Sequence, residues 1–264
     1  MQFVDFKKSA RWYTREGQPI TSVPYADPKK EGQRDVTLAD AKKLGLLPSV
    51  TTILNIKAKP SIQRWRENNL LLHAITIPKN IDEDDHQLAK RIVEDWETEN
   101  AKAAILGTKV HNLIECYFLG KDLPNDVPNK EAYLHGLSNF QSRRQKQSET
   151  LTAKEIEKSF AHNEYGFAGK IDFIGTYEGK PAIVDFKTQS SEKTNIYREW
   201  LLQLTAYYYG AFNPKVDFYE LVNIVVSTSK PGYFETVIWP REEIRKAWIA
   251  FQAAVELWNW ENKF

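Results

Sequence analysis

Gly169-Lys170-Ile171-Asp172-Phe173-Ile174-Gly175-Thr176-Tyr177-Glu178-Gly179-Lys180-Pro181-Ala182-Ile183-Val184-Asp185-Phe186-Lys187 reads as two strands joined by a two-residue turn. Glu178-Gly179 forms the turn, because glycine in its second position accepts the positive φ that such loops need. Tyr177 then pairs with Lys180. Counting outward sets Asp172 opposite Asp185, with Cβ atoms about 5 Å apart on one face. Asp185 and Lys187 are two apart on one strand and share that face. The flanking Ile171, Phe173, Ile174, Ile183, Val184 and Phe186 predict a largely buried sheet. Two opposed carboxylates repel there, and unpaired buried charge is costly. A hard divalent cation, which favours oxygen ligands, removes the conflict. Lys187 beside it would orient or deprotonate a water, or stabilise charge on an attacked phosphate. The same three side chains also suit a structural cluster in which Lys187 merely neutralises the aspartates.

Around this pair the sequence predicts strands at about 151–161, 168–177 and 181–187, with two more near 219–227 and 233–238 about a Pro231-Gly232 turn. A helix is expected from about 194 to 212. A final amphipathic helix begins at Pro240 and carries Ile244, Trp248, Phe251, Val255 and Trp258. Upstream the texture is helical. Leu88, Ile92, Trp96, Ala103, Leu106, Val110, Leu113 and Ile114 recur at helical spacing across about 84–119. Shorter helices are expected over about 60–72 and 129–147. Residues 1–47 read as an extended arm, marked by Pro19, Pro24 and Pro28, with a short helix between the cap Thr37 and the stop Gly45. Pro48-Ser49-Val50-Thr51-Thr52 opens another short helix, ending near Lys57. Its amides and hydroxyls suit either an anion or ordinary capping. The expectation is an α/β fold of α+β type: a central mixed sheet flanked by helices, with an N-terminal helical elaboration. The arm is placed at 1–47 and a single domain at 48–264, helical over 48–148 and carrying the sheet over 149–264.

The chain has 264 residues, 42% of them hydrophobic, enough for a sizeable core. Its 36 basic and 35 acidic residues leave a net charge of +1, which neither announces nor excludes a polyanionic partner. Basic clusters occur at Lys57, Lys59, Arg64 and Arg66, and at Arg143, Arg144 and Lys146; each also suits a solvated helix face. The single cysteine, Cys116, excludes an internal disulfide and four-cysteine zinc or iron–sulfur sites within one chain, and points to a reducing, cytoplasmic setting. No signal peptide or membrane span is expected.

Asp172 followed by Asp185-Phe186-Lys187 resembles the PD-(D/E)XK nuclease superfamily. Gly107-Thr-Lys-Val-His111-Asn-Leu-Ile-Glu115 and Gln203-Leu-Thr-Ala-Tyr207 sharpen the resemblance to its RecB-like branch, and Pro48-Ser-Val-Thr-Thr-Ile-Leu is similar to phage-type and mitochondrial genome-maintenance exonucleases. The resemblance implies a restriction-endonuclease-like sheet and a metal-dependent deoxyribonuclease. His111, Asp172, Asp185 and the Phe186 carbonyl would hold Mg²⁺ or Mn²⁺, without an iron–sulfur cluster. Lys187 would assist the attacking water, and Gln203 and Tyr207 would pack beside the site. Glu115, four residues from His111 and on its helical face, would orient the imidazole or simply face solvent. Glu157, on the first strand, is a further candidate to approach the site. Ser49, Thr51, Thr52, Arg64, Trp65 and Arg66 are candidates to hold phosphates or stack on bases. His73, His86, His135 and His162 match no motif. The implied partner is DNA, single-stranded or with free ends. The first expectation is an exonuclease on single-stranded ends. The alternatives are an exonuclease entering from duplex ends, as in phage recombination and repair, and a non-catalytic DNA-binding protein keeping the fold. If the chain is phage-encoded, its setting is the host cytoplasm. No recombination or single-strand-binding partner can be named.

Overall fold

The computed structural model describes residues 11–25, 27, 29–58, 60–142, 150–191 and 193–264. Pro28, Lys59, Arg143, Arg144 and Lys146, named above, lie outside them. The described part of the N-terminal segment is extended and strand-paired. Strand β1 (Trp12–Tyr13) pairs with β2 (Pro19–Ile20) and with β5 (Leu47–Pro48), while β3 (Ser22–Pro24) pairs with β4 (Gln33–Asp35). Between them runs α1 (Leu38–Leu44), capped by Thr37 and stopped by Gly45 in the left-handed region, as its sequence predicts. Trp12 and Tyr13 are buried. The two aromatic side chains supply apolar area that docks the segment.

Helices follow: α2 (Val50–Leu54), α3 (Pro60–Thr76), α4 (Asp85–Leu119) and α5 (Lys130–Gln141). The second ends at Leu54 rather than near Lys57, and the third runs on to Thr76, four residues beyond the expected 72. Asp84 and Gln87 cap the start of α4 reciprocally, and Gly120 ends it, close to the expected 84–119. Its expected apolar stripe is buried at Ile92, Trp96, Val110, Leu113 and Ile114, whereas Ala103 is exposed.

The central sheet contains β6 (Leu151–His162), β7 (Phe167–Tyr177) and β8 (Lys180–Gln189). Helix α6 (Arg198–Ala211) then leads to β9 (Glu220–Ser227), β10 (Phe234–Ile238) and the last helix, α7 (Arg241–Asn262). The strand order is β10-β9-β8-β7-β6, with β8 and β9 parallel and the other neighbours antiparallel. This is the expected mixed sheet flanked by helices. Helix α6 starts at Arg198 instead of Thr194, because the Gln189 side chain holds both the N–H and the carbonyl of Asn195 in a non-helical loop. Glu178 and Gly179 both take positive φ, 50° and 81°, as the tight turn between β7 and β8 requires.

Each face of the sheet has its own core. Ile171, Ile174, Ile183 and Leu221 pack with α2, α6 and α7 through Ile53, Leu204, Phe251 and Val255. Phe173, Val184, Phe186 and Ile224 pack with α4 and α5 through Val110, Leu113, Leu137 and Phe140. Full burial of one such side chain contributes about 1.5–3 kcal/mol, against roughly 0–1 kcal/mol for surface ion pairs in general. Packing therefore holds the helices on the sheet. Helix α5 meets the β9–β10 turn backbone to backbone: a Cβ on Gly136 would lie 2.1 Å from the Gly232 carbonyl oxygen. Neither backbone can swing aside as a side chain would. Gly136→Ala is expected to cost about 1–3 kcal/mol, read as a lower urea midpoint with an unchanged slope.

Candidate active site

Helix α4 carries His111 to the sheet across a close approach at Gly107. A Cβ at Gly107 would lie 2.6 Å from Thr188 Oγ1 on β8. One turn further on, His111 Nε2 lies 2.9 Å from Asp172 Oδ2 on β7. The same oxygen accepts the Phe186 N–H at 3.0 Å. The β7–β8 ladder has its last pair at Phe173↔Val184, one step short of the two aspartates. The hairpin count is thus right up to that pair. Beyond it, the Asp172 carboxylate takes an amide of the neighbouring strand.

On the other side of β7, the pairs Ile156↔Phe173 and Lys158↔Ile171 set Glu157 across from Asp172. Glu157 has φ 57°, which a non-glycine residue rarely adopts. His111, Glu157 and Asp172 each offer an atom within 4.8 Å of the others. Lys170 ion-pairs with Glu157. Asp185 is not one of this trio. Its carboxylate, 2% exposed, lies 2.9 Å from the Lys187 ammonium and accepts the Asn223 amide N–H at 2.7 Å. Lys187 also donates to Gln203 Oε1 at 2.8 Å, and Gln203 donates to the Tyr207 hydroxyl at 2.6 Å. Tyr207 packs close to Gly169, where a Cβ would lie 3.0 Å from its ring.

Burial pushes the Asp185 carboxyl up to about 6, against the opposing pull of Lys187. Burial also pushes Asp172 upward, but the His111 imidazole, the Lys187 ammonium and the Phe186 N–H outweigh it, so this carboxyl lies below its ordinary range. The Asp172 charge in turn raises His111. Burial raises the Tyr207 phenol well above 10, so it stays protonated at neutral pH. Two neighbouring carboxyls are thereby pushed apart, one ionised readily and one reluctantly, a pattern common where proton and metal chemistry occur.

Other residues chosen from sequence are less concentrated. Glu115 is half-buried on α4. Ser49 caps α2 by accepting the Thr52 N–H at 3.1 Å, and its hydroxyl also meets those of Thr51 at 3.0 Å and Thr52 at 2.9 Å. The capping alternative is therefore what this start shows. On α3, Trp65 is 53% exposed and the Arg66 guanidinium lies over the Trp96 ring on α4 at 5.4 Å. His162 stacks on Phe167, and His73 approaches Glu99 at 3.3 Å. No helix among the described residues is long and apolar enough to cross a membrane.

Sequence reasoning missed Asn223 and Trp239. The Trp239 indole N–H donates to Asn223 Oδ1 at 2.7 Å, behind Asp185. A signal was available: Asn223 is the one amide in Leu221-Val222-Asn223-Ile224-Val225-Val226, an otherwise apolar strand. A buried amide needs hydrogen-bond partners.

The family model of the PD-(D/E)XK nuclease superfamily matches residues 85–214, from α4 to just beyond α6. No curated protein matches the chain. Among solved structures, a provisionally assigned exonuclease of Eubacterium rectale aligns at 11% identity and a TM-score of 0.43, over 60% of this chain and 68% of that one. The protein SSO0001 aligns at 16% identity and a TM-score of 0.31, over 74% of this chain and 86% of that one.

The ammonium of Lys187 is the nearby charge that favours ionised Asp185. In Lys187→Met without metal, the Asp185 carboxyl should titrate higher than about 6. Carbonyl chemical shifts of labelled aspartate followed against pH would show it, and a midpoint that stays in place would contradict the assigned coupling.

Proposed function

We propose that this chain, whose residues 85–214 match the family model of the PD-(D/E)XK nuclease superfamily, hydrolyses DNA phosphodiester bonds with a divalent cation, working from free single-stranded ends. The observation that carries this reading is the convergence of one imidazole and two carboxylates within 4.8 Å, beside an ammonium clamped by Asp185 and Gln203. Oxygen-rich donors with one imidazole fit Mg²⁺ or Mn²⁺. The thiolates that an iron–sulfur cluster requires are missing from a sequence with one cysteine. His111, Glu157 and Asp172 would hold the ion, with Asp185 and the Phe186 carbonyl as further ligands. The ion would supply Lewis-acid polarisation of a phosphate and a more acidic bound water.

The chain's own groups then have distinct tasks. Lys187 sets a fixed positive charge next to the carboxylates, where charge grows on phosphate oxygens in the transition state. Gln203 and Tyr207 hold that ammonium in place. Glu115 lies one turn from His111 and would steady the ligand face of α4. The exposed Trp65, with Arg64 and Arg66 on α3, would stack on bases and neutralise phosphates of an incoming strand, and Ser49, Thr51 and Thr52 at the start of α2 would border its path. The preference for single-stranded ends rests on the sequence resemblance and on the long helices α3 and α4 rising beside the sheet; entry from duplex ends is the competing version.

With Mg²⁺, end-labelled linear single strands should be shortened progressively and circular single strands left intact. Cutting of the circles would overturn the exonuclease reading, and faster digestion of blunt duplexes would favour the duplex-end version. EDTA should abolish activity, and Lys187→Ala or Asp172→Asn should lower kcat by about 10²–10⁴-fold. Full activity in both variants would reject the site. Mn²⁺ affinity should weaken as pH falls through about 6, because Asp185 and His111 both have raised pKa values and must release protons before they can ligate. Calorimetry at pH 5 and 8 checks the sign.

A further inference from the structure

The match to the superfamily stops at residue 214, yet the strand beyond it supplies a buried contact to Asp185. Asn223 sits beside Asp185 in the parallel β8–β9 register and is fully buried. Its amide lies between two partners of opposite character. An indole N–H can only donate, and an ionised carboxylate can only accept. Trp239 therefore fixes Oδ1 of Asn223 toward itself at 2.7 Å, which leaves Nδ2 to face Asp185 Oδ2, also at 2.7 Å. Rotation of the amide by a half-turn would set two donors face to face and two acceptors face to face. The same Nδ2 lies 3.3 Å from the Asp185 backbone carbonyl oxygen, so both the carboxylate and its backbone are tied to β9.

We infer that Asn223, oriented by Trp239, is a positioning residue that turns the Asp185 carboxylate toward the cation. With Oδ2 tied to the amide inside the sheet, the carboxylate cannot spin about its terminal bond. The Lys187 ammonium straddles the carboxylate, 3.0 Å from Oδ1 and 2.9 Å from Oδ2, so Oδ1, which does not take the Asn223 amide, is the oxygen with capacity to be shared with an ion. This inference rests on the reading of Asp185 as a metal ligand. The effect is the one that outer partners of metal ligands exert elsewhere: they set ligand orientation, and their loss weakens metal binding without removing a ligand.

The test is direct Mn²⁺ binding by electron paramagnetic resonance on the full chain, in Asn223→Leu, Trp239→Phe and the reference Asp185→Asn, with folding followed by circular dichroism. Asn223→Leu should raise the Mn²⁺ dissociation constant by about 10-fold or more, and Trp239→Phe by a smaller factor. At saturating Mn²⁺, kcat should recover in both variants and KM for DNA should stay unchanged; a general packing defect would not be repaired by metal. If Asn223→Leu fails to fold, Trp239→Phe, which keeps an aromatic ring and removes the donor, decides alone. Wild-type Mn²⁺ affinity in the folded variants, with affinity lost in Asp185→Asn, overturns the positioning role only. Wild-type affinity in Asp185→Asn overturns the ligand reading and this inference with it.

Discussion

A single carboxylate oxygen, Oδ2 of Asp172, joins the parts of this protein that have to act together. It meets His111 from α4 and the Phe186 amide from β8, so the long helix, the second sheet strand and the third are tied at one atom. The ladder between β7 and β8 ends just before it. Were the ladder to continue, the aspartate side chain would not be needed to satisfy that amide. A cation held by the same carboxylate would strengthen an existing junction instead of building a new one, which keeps the reorganisation on binding small.

Charge inside the sheet is tolerated because none of the buried site groups described stands alone. Asp185 has Lys187 and Asn223, Asp172 has His111, and Lys187 has Gln203. Breaking one member of a buried pair costs about 3–5 kcal/mol, whereas the intact pair adds little over an apolar replacement. Selection for stability alone would thus favour hydrophobic residues at these positions. Their presence at the centre of two well-packed cores is what a functional constraint looks like in energetic terms.

Much of this arrangement was legible in the chain, and the limits have physical causes. The turn at Glu178-Gly179 gave the β7–β8 register as far as Phe173↔Val184, one step short of the two aspartates, because a two-residue loop leaves no freedom in the count. Helical spacing placed His111 with Glu115 and Gln203 with Tyr207 for the same reason. Glu157 was harder: its approach depends on a left-handed backbone at a glutamate and on the irregularity between Ala153 and Glu155, neither of which local pattern encodes. Asn223 and Trp239 were missed because their roles exist only once β9 has been laid parallel to β8, a pairing across more than thirty intervening residues of the chain. The docking of the N-terminal segment was hidden for a related reason. Its prolines are a local signal, while the burial of Trp12 and Tyr13 against distant elements is not.

The placement of β8 in mid-sheet has one more consequence. A chain cut where the superfamily match ends, at residue 214, would keep β6, β7 and β8 but lose β9, β10 and α7. Strand β8, with Ala182, Ile183, Val184 and Phe186 all buried in the whole protein, would become an unprotected margin bearing a row of unsatisfied amides and carbonyls. Such margins recruit other chains and seed aggregation. Any attempt to isolate residues 85–214 alone should therefore meet insolubility, and the C-terminal fifty residues cover this margin as well as forming a structural layer.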